Sequence, residues 1–303
     1  MRDVILLDGG MGQELIARSR FAPTPLWSTQ ILLDEPEIVE QVHRDYIEAG
    51  ARVITINAYS ATPERLERDG DPARFRPLQQ RAIDLACAAR EAMGREVAIA
   101  GCLPPLVAGY RPELTSDFDL ALATYRRIAG IQGPRVDLIL CETLSSTLEI
   151  AAATRAAAET GRPVWTAVSL MDGAPSAMLR SGEPLAAGLE VARTEGAQAV
   201  LANCCRPETI SAAQTELAAA GLPFGAYANG FSAIDALRPG GTVDALTART
   251  DLNPQAYARW ALDLVAQGAT IVGGCCEIGP DHICELKRQL EHTGHTITGP
   301  FHA

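Results

Sequence analysis

Three cysteines carry the most specific chemical signal in this 303-residue sequence. Cys204 closes the run Leu201-Ala202-Asn203-Cys204, and the adjacent pair Cys275 and Cys276 closes Val272-Gly273-Gly274-Cys275-Cys276. Thiolates are soft ligands that favour zinc over magnesium or calcium. Three of them leave one corner of a tetrahedral zinc ion open, the arrangement of a reactive site rather than of a closed structural one. None of the five histidines stands at the end of a strand-like run, so a mixed sulfur and imidazole site is not expected. Cysteine is also among the most buried residue types. An adjacent Cys-Cys pair behind two glycines nevertheless fills space poorly, whereas glycines let the backbone crowd close enough for both sulfurs to reach one ion. Cys205 is expected to turn away into packing, and Cys87, Cys102, Cys141 and Cys284 to lie in the core or on helix faces.

The cysteines gain meaning from their place in a repeating pattern. Short apolar, β-branched-rich runs recur at Val4-Asp8, Arg52-Asn57, Val97-Cys102, Val136-Glu142, Val164-Leu170, Ala199-Cys204, Phe224-Asn229 and Thr270-Cys275. Between most of them lie helical patterns: Pro36-Ala49, Pro77-Met93, Leu120-Ile131, Thr147-Glu159, Leu185-Glu195, Thr209-Ala219 and Pro254-Gln267. Strand alternating with helix demands parallel pairing, and continuously apolar strands belong to a sheet covered on both faces. Eight such units point to an α/β chain folded as one (β/α)8 TIM barrel over residues 1–303, with 291–303 a C-terminal tail. A doubly wound sheet would place a glycine-rich phosphate loop after its first strand. Asp8-Gly9-Gly10-Met11-Gly12 does not fit GxGxxG and lacks a phosphate-loop lysine. Barrel active sites form where the C-terminal strand ends converge, so the pattern brings the three thiols to one rim.

Composition narrows the remaining choices. A hydrophobic fraction of 47% with 21% charged residues suits a chain that buries a large core. The net charge of -11, with no cluster of Lys and Arg, argues against a nucleic-acid partner. No apolar run reaches membrane-spanning length, and Met1-Arg2-Asp3-Val4-Ile5 runs into the first strand without the features of a secretory signal. A cytoplasmic protein without membrane partners is expected, in which disulfides are improbable roles for the cysteines.

The motifs resemble the homocysteine S-methyltransferase family over nearly the whole chain. Asp8-Gly9-Gly10-Met11-Gly12-Gln13-Glu14-Leu15 is similar to the family's opening motif, Leu26-Trp27-Ser28 with Pro36-Glu37-Ile38-Val39 to its second, and Ala49 through Tyr59 to its third. Cys141-Glu142-Thr143, Asn203-Cys204, Tyr227-Ala228-Asn229, and Gly273-Gly274-Cys275-Cys276 with Pro280-Asp281-His282-Ile283 resemble its later motifs. The resemblance implies that Cys204, Cys275 and Cys276 hold a zinc ion that activates the thiol of homocysteine. It implies that Asp8 and Glu142 hold the substrate ammonium, with the Gly9 backbone near the carboxylate. Trp27 and Tyr59 become candidates for an aromatic wall around a cationic methyl donor. Asn203 would orient the metal loop through hydrogen bonds.

Three places depart from the family pattern. Gly101-Cys102-Leu103-Pro104-Pro105-Leu106 stands where the family has a Gly-Ser-x-Gly-Pro run, and its prolines remove backbone donors. Glu277-Ile278-Gly279 replaces a Thr-Thr pair, and Cys205 a small polar residue. The expected reaction is methyl transfer from a sulfonium, S-methylmethionine or S-adenosylmethionine, to homocysteine, giving methionine. Betaine or a dimethylsulfonio compound as donor, and another thiol as acceptor, are the alternatives. A non-catalytic zinc or thiol-binding barrel and a zinc hydrolase are the rivals from other classes. The open coordination position speaks against the first, and the lack of a histidine set against the second. Oligomeric state is not legible from one chain.

Overall fold

The computed structural model describes residues 2–301. Its strands are β1 (Asp3–Leu6), β2 (Val53–Thr55), β3 (Ala98–Leu103), β4 (Leu138–Leu144), β5 (Val164–Val168), β6 (Ala199–Asn203), β7 (Phe224–Tyr227), β8 (Ile271–Val272) and β9 (Thr296–Thr298). The helices are α1 (Met11–Arg18), α2 (Ser28–Asp34), α3 (Pro36–Ala49), α4 (Pro63–Asp69), α5 (Phe75–Met93), α6 (Phe118–Gln132), α7 (Thr147–Ala158), α8 (Leu185–Thr194), α9 (Pro207–Ala218), α10 (Pro254–Ala266) and α11 (Pro280–His292). Five of them, α3, α4, α9, α10 and α11, begin at a proline, whose fixed φ suits a helix start and whose missing N–H costs nothing there.

Every strand pairing is parallel, in the order β2-β3-β4-β5-β6-β7-β8-β1-β9. The barrel closes between β1 and β2: Arg52 N donates to Leu6 O at 2.7 Å, Asp8 N donates to Val53 O at 3.0 Å, and Leu7 stands opposite Val53. β9 lies along the same edge of β1, nearer its start, with Asp3, Val4 and Ile5 opposite Thr296, Ile297 and Thr298. The stretch read as a tail thus contributes the end of α11 and a ninth strand.

Two layers of apolar contact explain why the strands read as unbroken hydrophobic runs. Ala98, Ala100, Leu138, Leu140, Trp165, Ala167, Ala199, Leu201, Tyr227 and Ile271 fill the barrel interior. Their neighbours Ile99, Ile139, Val164, Val200 and Val272 pack outward beneath the helices. A barrel of this size is filled by side chains rather than hollow.

β8 is shorter than the run Thr270-Cys275 suggests. After Val272 the chain leaves the regular ladder but stays bonded to both neighbours, with Gly274 N donating to Asp8 O at 2.9 Å and Cys275 N to Ala228 O at 3.0 Å. Between β7 and α10 an excursion spans residues 230–252. It is tied to itself by a bridge from Phe231 to Ala248, and it roofs the C-terminal rim. No helix among the described residues is long and apolar enough to cross a membrane.

His43 of α3 is fully buried, and neither ring nitrogen has a hydrogen-bond partner. Burial pushes its pKa down to about 3 from the ordinary 6.5. The unfolded chain therefore takes up a proton between those values that the folded chain refuses, so stability falls as pH drops below 6.5. The cost reaches about 2 kcal/mol by pH 5. Urea titrations at pH 7 and 5 should show this loss, and His43→Leu should reduce the difference; an unchanged slope in the variant would contradict the assignment.

Candidate functional site

The three cysteines meet as expected. Cys204 follows β6 and Cys275 and Cys276 follow β8, and their Sγ atoms all lie within 4.8 Å of one another. Cys204 Sγ is 3.9 Å from Cys276 Sγ and 2.8 Å from Cys275 Sγ. Sulfurs bound about 2.3 Å from a tetrahedral zinc stand roughly 3.8 Å apart, so the longer of these separations matches such an ion. Hydrogen bonds from Cys275, then Cys276, with Tyr110 after them, hold the Cys204 thiol well below its ordinary range, favouring the thiolate that a metal would take. Tyr110 Oη is 2.8 Å from Cys204 Sγ. Phe231 and Ile234 of the excursion pack on Cys204 and Cys276, giving the sulfurs an apolar roof. Cys205 turns into the outer core, where burial pushes its thiol up to about 12.

The sulfurs open into a cavity of about 150 Å³ that Asp8, Gly9, Trp27, Tyr59, Glu142 and Tyr227 also line. Asp8 Oδ2 accepts a hydrogen bond from Thr55 N at 2.7 Å. Burial, and to a lesser degree the charge of Glu142, push its pKa up to about 8. Glu142 accepts from Cys102 Sγ at 3.0 Å and from Tyr227 Oη at 3.4 Å, and burial pushes its pKa up to about 7. Neither carboxylate has an ion-pair partner among the described residues. A buried and a half-buried acid that repel each other, without a cation, are suited to receive one.

Trp27 and Tyr59 both line the cavity. The Trp27 and Tyr59 rings meet edge to face, with centroids 5.7 Å apart. Trp27 Nε1 donates to Gln13 Oε1 at 3.2 Å, and Gln13 Nε2 donates to Glu277 Oε1 at 2.6 Å, which ties the wall to the residue after Cys276. A Cβ on Gly12 would fall 2.1 Å from the Trp27 ring, so only glycine lets the indole settle there. The Arg65 guanidinium lies over the Tyr59 ring, 5.1 Å from its centroid.

Asn203 does not line the cavity. Its Oδ1 accepts from Thr143 N and its Nδ2 donates to Thr143 Oγ1, both at 2.9 Å, so the amide braces the end of β4 beside Glu142. The Leu103-Pro104-Pro105 segment also stays outside. Its carbonyls receive Tyr125 Oη and Arg65 Nη2, and the chain then delivers Ala108, Gly109, Tyr110 and Arg111 to the cavity. Tyr110 and Arg65 escaped the sequence reading, while Gln13 and Tyr227 stood in quoted motifs without a role of their own. Tyr227 ends a strand and could have been found by that rule; nothing in the spacing marks Tyr110 or Arg65.

Comparisons with known proteins show the family and the fold. The profile of the family described as homocysteine S-methyltransferase matches residues 5–290. The homocysteine S-methyltransferase of Escherichia coli is 33% identical, with 94% of this chain and 95% of that protein aligned. A selenocysteine Se-methyltransferase of Brassica oleracea is 25% identical, with 94% of this chain and 88% of that one aligned. The crystal structure of the homocysteine methyltransferase MmuM from Escherichia coli in its metallated form superposes with a TM-score of 0.77 at 28% identity, covering 95% of this chain and 96% of that one.

The close approach of backbone around the cysteines is testable. A Cβ on Gly10 would fall 2.4 Å from the Cys275 carbonyl oxygen, whereas a Cβ on Gly130 in α6 meets nothing within 4 Å. Gly10→Ala is expected to cost about 1–3 kcal/mol and to weaken metal binding, while Gly130→Ala should stabilise by about 0.5–1 kcal/mol. Denaturant unfolding and metal titration check both, and a Gly10→Ala protein with unaltered stability and metal affinity would contradict the packing argument.

Proposed function

The chain belongs to the homocysteine S-methyltransferase family, and within it we propose a zinc-dependent enzyme that moves a methyl group from a sulfonium donor, S-methylmethionine or S-adenosylmethionine, to the thiol of homocysteine, giving methionine. One observation carries this reading: a three-cysteine cluster and two carboxylates without ion-pair partners, Asp8 buried and Glu142 half-buried, share a single cavity. The acceptor they suit bears a soft sulfur at one end and an ammonium at the other.

In this reading Cys204, Cys275 and Cys276 hold the metal. Bound zinc would supply the Lewis acidity that lets a thiol exist as thiolate at neutral pH. Asp8 and Glu142 grip the ammonium, and Gly9 lies beside Asp8 to meet the carboxylate. Thr55 N fixes one Asp8 oxygen, and Cys102 and Tyr227 fix Glu142, so the two acids cannot swing apart. Trp27 and Tyr59 face the donor, while Asn203 holds the Glu142 strand end through Thr143. Phe231, Ile234 and Leu246 exclude water from the sulfurs. With both molecules so held, the acceptor sulfur forms its bond to the methyl carbon as the bond to the donor sulfur breaks, and that electron pair stays with the donor. A cytoplasmic location is proposed on the same footing, since the site needs reduced thiols.

The test measures zinc content and methionine formation with S-methylmethionine, S-adenosylmethionine, betaine and dimethylsulfoniopropionate, in wild type and Cys275→Ser. Stoichiometric zinc and sulfonium-dependent methionine in wild type, with both lost in the variant, support the proposal. Full zinc in Cys275→Ser would overturn the ligand set, and transfer from betaine alone would overturn the donor class.

The carboxylates predict a pH dependence. Only their ionised forms attract the ammonium, and with pKa values raised to about 7 and about 8 that form grows as pH rises. kcat/KM for homocysteine should therefore climb between pH 6 and 8. A raised folded pKa also means that the Asp8 charge costs stability progressively from pH 3.8 up to about 8. Asp8→Asn should then raise the homocysteine KM by about tenfold or more while leaving the unliganded protein at least as stable at pH 8. A flat pH profile, or an unchanged KM, would remove Asp8 from the acceptor site.

A further inference from the structure

One cationic group of the cavity wall has no role in the acceptor site proposed above, where the Gly9 backbone meets the acceptor carboxylate. Arg65, on α4, lines the wall beside Tyr59. Its Nη2 donates to Pro105 O at 3.1 Å, while its Nε is sealed from solvent with no hydrogen-bond partner. It forms no ion pair among the described residues, and burial pushes its pKa below the ordinary value. The neighbouring guanidiniums differ. Arg68 is held by Asp69 and the Val107 carbonyl, Arg111 by Glu113, and Arg238 turns to the backbone carbonyls of Asp235 and Leu237. Tyr59 also hydrogen-bonds the half-buried guanidinium, but its sealed Nε is left without a partner, and a guanidinium offers five donors that suit a carboxylate in a two-pronged fit, so a ligand carboxylate would complete it.

We propose that Arg65 receives a carboxylate of the methyl donor, so that the donor is a zwitterion whose cationic methyl-bearing centre and anionic end are read by different parts of one wall. This rests on the methyl-transfer reading above and extends it to the donor. Tyr59 is the link: its ring carries Arg65, and the same residue feels the charge of Cys204. A donor anchored at Arg65 therefore extends past Tyr59 toward the sulfurs. The acceptor ammonium is served by Asp8 and Glu142 on β1 and β4, which leaves the Arg65 side, built by α4 and the Pro105 turn, to the second substrate. Because one face of Tyr59 is taken by the guanidinium, Trp27 is the ring more open to the donor cation.

The experiment uses zinc-loaded enzyme and initial rates for wild type, Arg65→Met, Arg65→Gln and Arg65→Lys. S-methylmethionine is varied at saturating homocysteine, and then homocysteine at saturating donor. Trimethylsulfonium, which has no carboxylate, is measured as a competitive inhibitor against the donor. The expected result is a rise of about 10- to 100-fold in the donor KM for Arg65→Met, an unchanged homocysteine KM, partial recovery in Arg65→Lys and the same trimethylsulfonium inhibition constant throughout. Should Arg65→Met fail to fold, Arg65→Gln, which can keep the bond to Pro105, carries the same expectation. A rise in the homocysteine KM instead would place Arg65 on the acceptor and overturn the proposal. So would an unchanged donor KM, or an equal loss of trimethylsulfonium binding. A wild type active with S-methylmethionine but insensitive to Arg65 defeats this inference alone, whereas a wild type that transfers from no sulfonium defeats the reading beneath it.

Discussion

The site depends on one seam, where the backbone after β8 is pressed against the backbone after β1. Gly10 N donates to Ile278 O and Gly274 N to Asp8 O, each at 2.9 Å. A Cβ on Gly9 would lie 2.1 Å from Ile278 O, and one on Gly274 would lie 2.3 Å from the Ile278 side chain. No side chain fits on either surface of the seam. That constraint puts Asp8 and the Cys275-Cys276 pair on one piece of the rim, so the group that would grip an ammonium and the sulfurs that would hold a metal are fixed relative to each other. The seam is also where the barrel nears its own closure, since Asp8 N bonds to Val53 O across the β1 and β2 junction.

The rim carries backbone strain that the rest of the barrel lacks. Trp27, Tyr110, Thr143, Cys204 and Glu277 are the non-glycine residues with positive φ among those described, and all either line the cavity or adjoin the cysteine pair. A left-handed conformation costs these residues on the order of 1 kcal/mol each. It aims the Cys204 sulfur at Cys275 and Cys276, and Thr143 toward Asn203, which locks it with two hydrogen bonds. Buried charge is a second cost, visible in the raised pKa values of Asp8 and Glu142. Both costs are borne by a barrel whose two packed layers supply the stability, and both lie where ligands would relieve them.

Much of this was legible in the sequence because strand ends in a barrel share one rim. That rule grouped Cys204, Cys275 and Cys276, the family resemblance added Asp8 and Glu142, and the apolar runs gave the eight barrel strands. Short helices α1, α2 and α4 were not legible, since seven or eight residues carry too little periodicity to stand out. β9 was missed for a different reason: three residues of Thr-Ile-Thr gain strand character only from the free edge of β1. The excursion over residues 230–252 and the delivery of Tyr110 and Arg65 depend on contacts far apart in the chain, which no local pattern encodes. The effect of the Leu103-Pro104-Pro105 departure was not legible, because its carbonyls hold Tyr125 and Arg65 rather than touching the cavity.

The proposed chemistry stands on three sulfurs that would hold a metal with one place left for a thiol. X-ray absorption at the zinc edge, on the metal-loaded protein before and after homocysteine is added, tests it directly. Three sulfur ligands and one lighter ligand are expected in the free enzyme, becoming four sulfurs at about 2.3 Å with homocysteine. A sulfur count that stays constant on adding homocysteine, or a first shell containing imidazole, would contradict it.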